Sequence, residues 1–170
     1  MTKINQLFVV KLSLAAVFAS LVFVVTLLIR VPVPATGGYI NFGDTLIFIS
    51  ALLFGPWVGA LAGGIGSAVA DVVGYPIFAP FTLIIKGLEG LLTGIITNRK
   101  NVSKDLIGCL VGGVIMICGY FITEAYILML GVPIAVVEIP GNISQMLVGI
   151  LIGVPLVQLV RRRLNFITNL

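Results

Sequence analysis

Histidine is absent from this 170-residue chain, and tryptophan occurs once. Without an imidazole there is no His-based nucleophile triad and no His metal site. Charge is also scarce. Only 9% of residues are Asp, Glu, Lys or Arg, where a soluble domain carries about 25%. The two cysteines, Cys109 and Cys118, stand nine apart inside an apolar run. That spacing suits no zinc site, and they read as small apolar packing residues. No Gly-x-x-x-x-Gly-Lys-Ser/Thr loop occurs, which excludes an ATPase site of that kind. Ser13, Ser20, Ser50, Ser67 and Ser144 have no partner base nearby, and Asp44, Asp71, Glu89 and Glu124 show no spacing that supports a carboxylate-pair enzyme. The chain reads as a non-enzyme without a metal or a cofactor of its own.

Apolar surface is what the chain has. Hydrophobic residues make up 59% of it, and the mean hydropathy is +1.23. Such a chain cannot cover its surface with polar groups, so its solvent is mainly lipid. Its length suits about six spans of roughly 20 residues and leaves no room for a soluble catalytic domain. The net charge of +4 is no nucleic-acid signature, because the basic residues form no patch and no aromatic-plus-basic module. They mark the ends of apolar runs instead.

The expected fold is an all-α integral membrane bundle of six transmembrane helices, one membrane domain over residues 1–170. The predicted helices are 7–29, 44–55, 57–73, 80–96, 106–130 and 142–160. Lys3 and Lys11 ahead of an apolar run imitate a signal peptide. The run from Leu12 to Ile29 is long enough to span, however, and no small-x-small cleavage site precedes Arg30, so it reads as the first helix. The segment after Arg30, with Pro32, Pro34, Gly37 and Gly38, reads as an irregular, mobile loop. The second helix, roughly 11 or 12 residues long, is too short to cross a ~30 Å core alone. Glu138-Ile139-Pro140-Gly141 reads as the loop into the sixth helix, which Pro155 is expected to kink.

With six spans, Lys3, Lys11, Arg99, Lys100, Lys104, Arg161, Arg162 and Arg163 fall on one side, opposite Arg30 alone. The excess of positive charge puts that side, and both termini, in the cytoplasm. Glycine supplies a second regularity. Gly55, Gly59 and Gly63 recur every four residues, and Gly90/Gly94, Gly108/Gly112 and Gly149/Gly153 repeat the spacing. Small residues so placed let helix backbones approach closely in lipid. Ala15 and Ala19 do the same on the first helix, toward either an internal or an external partner.

The few polar residues in the apolar runs carry the functional signal. Lys86 and Glu89 are three apart and share a helix face, as a structural ion pair or as groups facing a water-filled cavity. Asp44 and Asn142 fit helix caps, and Asp71 fits a solvated helix end. Yet Asn41, Asp44, Asp71, Tyr75, Glu124, Glu138, Asn142 and Gln145 all gather toward the outer side, while the inner halves look nearly free of polar groups. That asymmetry describes a pocket open to the outside, with Tyr39, Phe42, Tyr75, Phe78, Phe81, Tyr120 and Tyr126 at its level to stack on a flat ring or to anchor at the interface.

Four stretches give the chain a family resemblance: Asn41-Phe42-Gly43-Asp44, residues 53–60 (LFGPWVGA), residues 63–71 (GGIGSAVAD) and residues 82–90 (TLIIKGLEG). They resemble the substrate-binding S components of energy-coupling factor (ECF) transporters, in the branch around riboflavin, pyridoxine and hydroxymethylpyrimidine uptake. The resemblance covers the whole chain in length and topology. It implies a bundle that captures a vitamin outside the cell under a lid formed by the loop after the first helix. It implies partners, one transmembrane coupling protein and two ATPases that bind the ATP, with docking through an Ala-x-x-x-Ala motif matched here by Ala15 and Ala19. It implies a multi-pass protein of a prokaryotic plasma membrane. The expected substrate-binding residues are Asn41, Asp44, Asp71, Tyr75, Lys86, Glu89, Glu124, Asn142 and Gln145. Pyridoxine or hydroxymethylpyrimidine suits so few polar groups better than riboflavin. A stand-alone small transporter or channel, and an assembly protein without a ligand, are the rival readings.

Overall fold

The computed structural model describes residues 3–36, 38–98 and 101–163. Residues 1–2, Gly37, Arg99, Lys100 and residues 164–170 lie outside the described residues, and with them two of the charges expected on the cytoplasmic side. Among those described, six α-helices account for most of the chain: α1 (Lys3–Leu28), α2 (Gly43–Phe54), α3 (Pro56–Gly74), α4 (Ala79–Ile96), α5 (Val102–Ile122) and α6 (Val132–Arg163). Five of these helical segments are long and apolar enough to cross a membrane, and α2, at 12 residues, is shorter.

Glycine sets the spacing of the helices. A Cβ placed on Gly63 would come within 2.6 Å of the Lys86 carbonyl oxygen, one on Gly64 within 2.8 Å of the Leu83 carbonyl oxygen, and one on Gly90 would meet the Gly59 backbone. The α3 and α4 backbones therefore touch with nothing between them. A Cβ on Gly112 of α5 would lie 2.8 Å from the Glu89 carbonyl oxygen, so α4 is gripped from a second side. Phe48, Leu52, Ile85, Cys109, Met116 and Val157 fill the core between α2, α4, α5 and α6. Cys109 sits there as expected, while Cys118 is exposed.

Three segments depart from the sequence reading. The expected irregular loop after α1 is an antiparallel hairpin, β1 (Arg30–Val33) with β2 (Gly38–Asn41), pairing Arg30 with Asn41 and Val31 with Ile40. Val31, Val33, Tyr39 and Ile40 are strand-forming residues, and Pro32 is accommodated because a two-stranded ribbon has only edges. The helix expected to run to residue 130 leaves the α-form at Ile122. It continues as a π-helical turn, Thr123–Ile127, closed by Leu128 N–H donating to the Thr123 carbonyl at 2.8 Å. Finally, the expected loop through Pro140 is helical: α6 starts at Val132 and contains both Pro140 and Pro155. In an apolar medium the backbone must satisfy itself, so a helix continues through prolines that would end it in water.

The end of the bundle away from the hairpin is also more polar than the sequence indicates. Asp105 accepts from Arg161 Nη1 at 2.5 Å, from Gln158 at 2.8 Å and from Thr97, while Arg161 Nη2 donates to the Leu52 carbonyl at 2.6 Å. Arg161 is thus more than a flanking charge: it ties α2, α5 and α6 together from a buried position.

Candidate functional site

The hairpin lies over the opposite end of the bundle. Arg30 anchors its base. The guanidinium donates to the carbonyls of Thr26 at 3.0 Å and Ala70 at 2.8 Å and lies 4.5 Å from the centre of the Tyr39 ring. Tyr39 and Tyr75 pack ring against ring at 4.8 Å. The Tyr39 hydroxyl donates to Asp71 of α3. Burial, and then the Asp71 carboxylate, push the Tyr39 phenol up from its ordinary pKa, so it stays a donor. At the turn, Thr36 donates to Glu138 of α6. At the end of β2, Asn41 N–H donates to Gln145 Oε1 at 2.8 Å. The hairpin is therefore joined to α3 by Arg30 and Tyr39 and to α6 by Thr36 and Asn41.

Beneath it lies a buried charge cluster. Lys86 of α4 donates to Asp44 of α2 and lies 3.0 Å from Glu89 Oε2 as an ion pair. The other Asp44 oxygen accepts from Gln145 Nε2 at 2.7 Å. Gln145 thus uses its amide nitrogen on the cluster and its carbonyl on the hairpin. Lys86, Asp44 and Glu89 are all within 1% of full burial. Such a group is tolerable in apolar surroundings only when its charges are paired. The expected cap roles are not the ones found. Asp44 is inside the first turn of α2, whose first N–H is met by the Asn41 side chain at 2.7 Å, and Asn142 is in the middle of α6. Asp71 is buried rather than solvated.

Between hairpin and cluster is a cavity lined by Tyr39, Asn41, Asp71, Phe78, Tyr120, Glu124, Glu138, Asn142 and Gln145. It measures about 20 Å³, room for roughly one water. A substituted six-membered ring needs the hairpin or the side chains to move. Of the residues expected to bind a ligand, Asn41, Asp71, Glu124, Asn142 and Gln145 line this cavity. Asp44, Lys86 and Glu89 support its floor through Gln145, and Tyr75 sits in the ring stack beside Arg30. Glu138 is a lining residue that the expected binding set does not contain. Glu138, Asn142 and Gln145 follow the i, i+4, i+7 spacing of one helix face, a signal that is visible only when residues 138–141 are helical and not a loop. Ala15 and Ala19, expected at a docking surface, are both buried, and Ala19 lies in the seam between α1 and α3, where a Cβ on Gly66 would come 2.5 Å from its carbonyl oxygen.

A solved S component of a bacterial ECF transporter superposes with a TM-score of 0.67 at 21% identity, covering 92% of this chain and 96% of that one. The family model for the ECF-type riboflavin transporter S component matches residues 6–162, and the chain belongs to that family. Among curated relatives, an uncharacterised protein of Pyrococcus woesei is 46% identical over 145 residues, 85% of this chain and 97% of its own. The thiamine precursor transporter HmpT of Lactococcus lactis subsp. cremoris is 33% identical over 154 residues, 89% of this chain and 88% of its own.

Proposed function

We propose that this chain is the membrane-embedded substrate-binding subunit of an ECF-type ABC transporter, and that it captures a small water-soluble vitamin or vitamin precursor from outside a prokaryotic cell. Hydroxymethylpyrimidine or pyridoxine is favoured over riboflavin. The observation that carries this reading is the buried cavity beneath the hairpin, whose polar wall is drawn from α3, α5, the π turn, α6 and β2 in a chain of this family. The relative described as a thiamine precursor transporter supports the smaller rings.

In this reading α1 to α6 make six passes with both termini in the cytoplasm, and the hairpin is the lid. A transmembrane coupling protein and two ATPases supply the energy. The coupling protein docks on α1. With Ala15 and Ala19 buried, the face of α1 left free is that of Ser13, Ala16, Val17 and Ser20. Mass spectrometry of small molecules that co-purify with the chain names the substrate, and proteoliposomes test the division of labour. The expected result is binding by the chain alone and accumulation only with the coupling protein, the ATPases and ATP. Accumulation by the chain alone, without ATP, overturns the reading in favour of a stand-alone transporter.

A further inference from the structure

The cavity wall carries one carboxyl that the protein meets only with another carboxyl. Glu124 is 1% exposed, lines the cavity and meets no Lys, Arg, hydroxyl or N–H donor at either carboxyl oxygen among the described residues. Its facing neighbour is a second carboxyl, that of Glu138, within hydrogen-bonding reach, so that the two can share a proton. Glu138 has its donor in Thr36. The backbone is arranged to put Glu124 there: it is the second residue of the π turn, where the extra residue per turn rotates the side chains away from the α5 register. Two buried carboxyls that meet face to face leave acceptor oxygens over even when they share a proton, and a fold retains such a pair where something else provides a donor.

The remaining lining shows what that donor is attached to. Three carboxyl groups, Asp71, Glu124 and Glu138, face the cavity, and no Lys or Arg is among the lining residues. Lys86 is held by Asp44 and Glu89, and Arg30 lies over the outer rings. A phosphorylated or carboxylate ligand finds no countercharge here. A flavin presents two carbonyl oxygens on either side of one ring N–H, and those oxygens would face the carboxylates. An aminopyrimidine presents an exocyclic N–H₂ beside a ring nitrogen that is neutral or protonated. We infer that Glu124 and Glu138 form an acceptor pair for the donor edge of a neutral or cationic aminopyrimidine, with Glu124 taking the exocyclic amine. Tyr120 and Phe78, also in the wall, supply apolar faces for the ring. This deepens the proposed function and rests on it.

The test uses the purified full-length chain in detergent and two probes that differ at one group, 4-amino-5-hydroxymethyl-2-methylpyrimidine and its 4-oxo counterpart. Calorimetric titration of the unaltered chain is expected to favour the amino compound by at least about tenfold, because the carboxyl pair gains a donor in one case and faces a carbonyl in the other. Glu124→Gln is expected to abolish most of that preference, since an amide can turn either a donor or an acceptor to the ring. If the unaltered chain binds both compounds equally, or Glu124→Gln retains the preference, the assignment of Glu124 is overturned and the S-component reading stands. If neither compound binds but pyridoxine or riboflavin does, the aminopyrimidine inference fails while the transport subunit survives. If none of the four binds, both fail. The comparison of the two probes on the unaltered chain decides the ligand class even if the Gln variant does not fold.

Discussion

Lys86 is the residue on which the hairpin end of the bundle depends most. Its ammonium pairs with both Asp44 and Glu89, and Asp44 in turn holds Gln145, which holds the hairpin at Asn41. Replacing it by alanine leaves two carboxylates buried without a countercharge. Breaking a buried pair from one side costs about 3–5 kcal/mol. Lys86→Ala is therefore expected to lower the melting temperature in detergent steeply and to lose ligand binding with it. An unchanged melting temperature would show that the cluster is not under the load that its burial implies. Sequence spacing alone pairs Lys86 with Glu89, as i and i+3. The third member, Asp44, is 42 positions away and has the sequence context of a cap, because nothing local distinguishes a capping aspartate from one that points into the bundle.

Among the elements, close helix contact and the hairpin each give a test. The α3–α4 seam admits no side chain at Gly90, where a Cβ would strike the Gly59 backbone, but leaves 3.7 Å at Gly87. Gly90→Ala is expected to destabilise by about 1–3 kcal/mol through overpacking. Gly87→Ala on the same helix is expected to be neutral or stabilising by up to about 1 kcal/mol, since alanine is the better helix former. Thermal melts of the two variants check the contrast. The hairpin is held to the bundle by a few polar contacts over a cavity too small for a ring. Hydrogen exchange in its ladder amides, at Val31 and Ile40 above all, is expected to be faster than in α3 or α4 and to slow on ligand binding. Equal protection with and without ligand would sink the lid assignment. The seam is legible in the glycine repeats, because the spacing of small residues is a local property. The hairpin is masked by its prolines and glycines, which signal a loop equally well when they flank a short ribbon.

For the molecule as a whole, α1 has two faces with different work. Ala15, Ala19, Val22 and Thr26 form its buried stripe, while Ser13, Ala16, Val17 and Ser20 look outward. Ala19→Leu is expected to disturb α1–α3 packing and to lower the melting temperature of the isolated chain. Ala16→Leu is expected to leave stability and ligand affinity near those of the unaltered chain, yet to reduce ATP-dependent uptake by the reconstituted complex at least about tenfold. Measuring both properties for both variants separates packing from docking. Full uptake by the Ala16 variant would remove that face from the proposed interface.

Composition and periodicity are enough to establish that this chain lives in lipid, that helices carry it, that their backbones touch through glycine, and that a handful of polar groups stand where lipid would reject them. These properties act within a turn or two of helix, so the residues record them directly. The family also shows in local motifs between residues 41 and 90. Which polar groups serve one another, and which is left over, is settled in three dimensions. Asp44 is used by Lys86, Asp71 by Tyr39 and Glu138 by Thr36, whereas Glu124 meets only the Glu138 carboxyl among the described residues. Partnership depends on where distant helices meet, and Glu124 and Glu138 meet because a π turn rotates one helix and another runs on through a proline. Neither event leaves a pattern in the residues next to it.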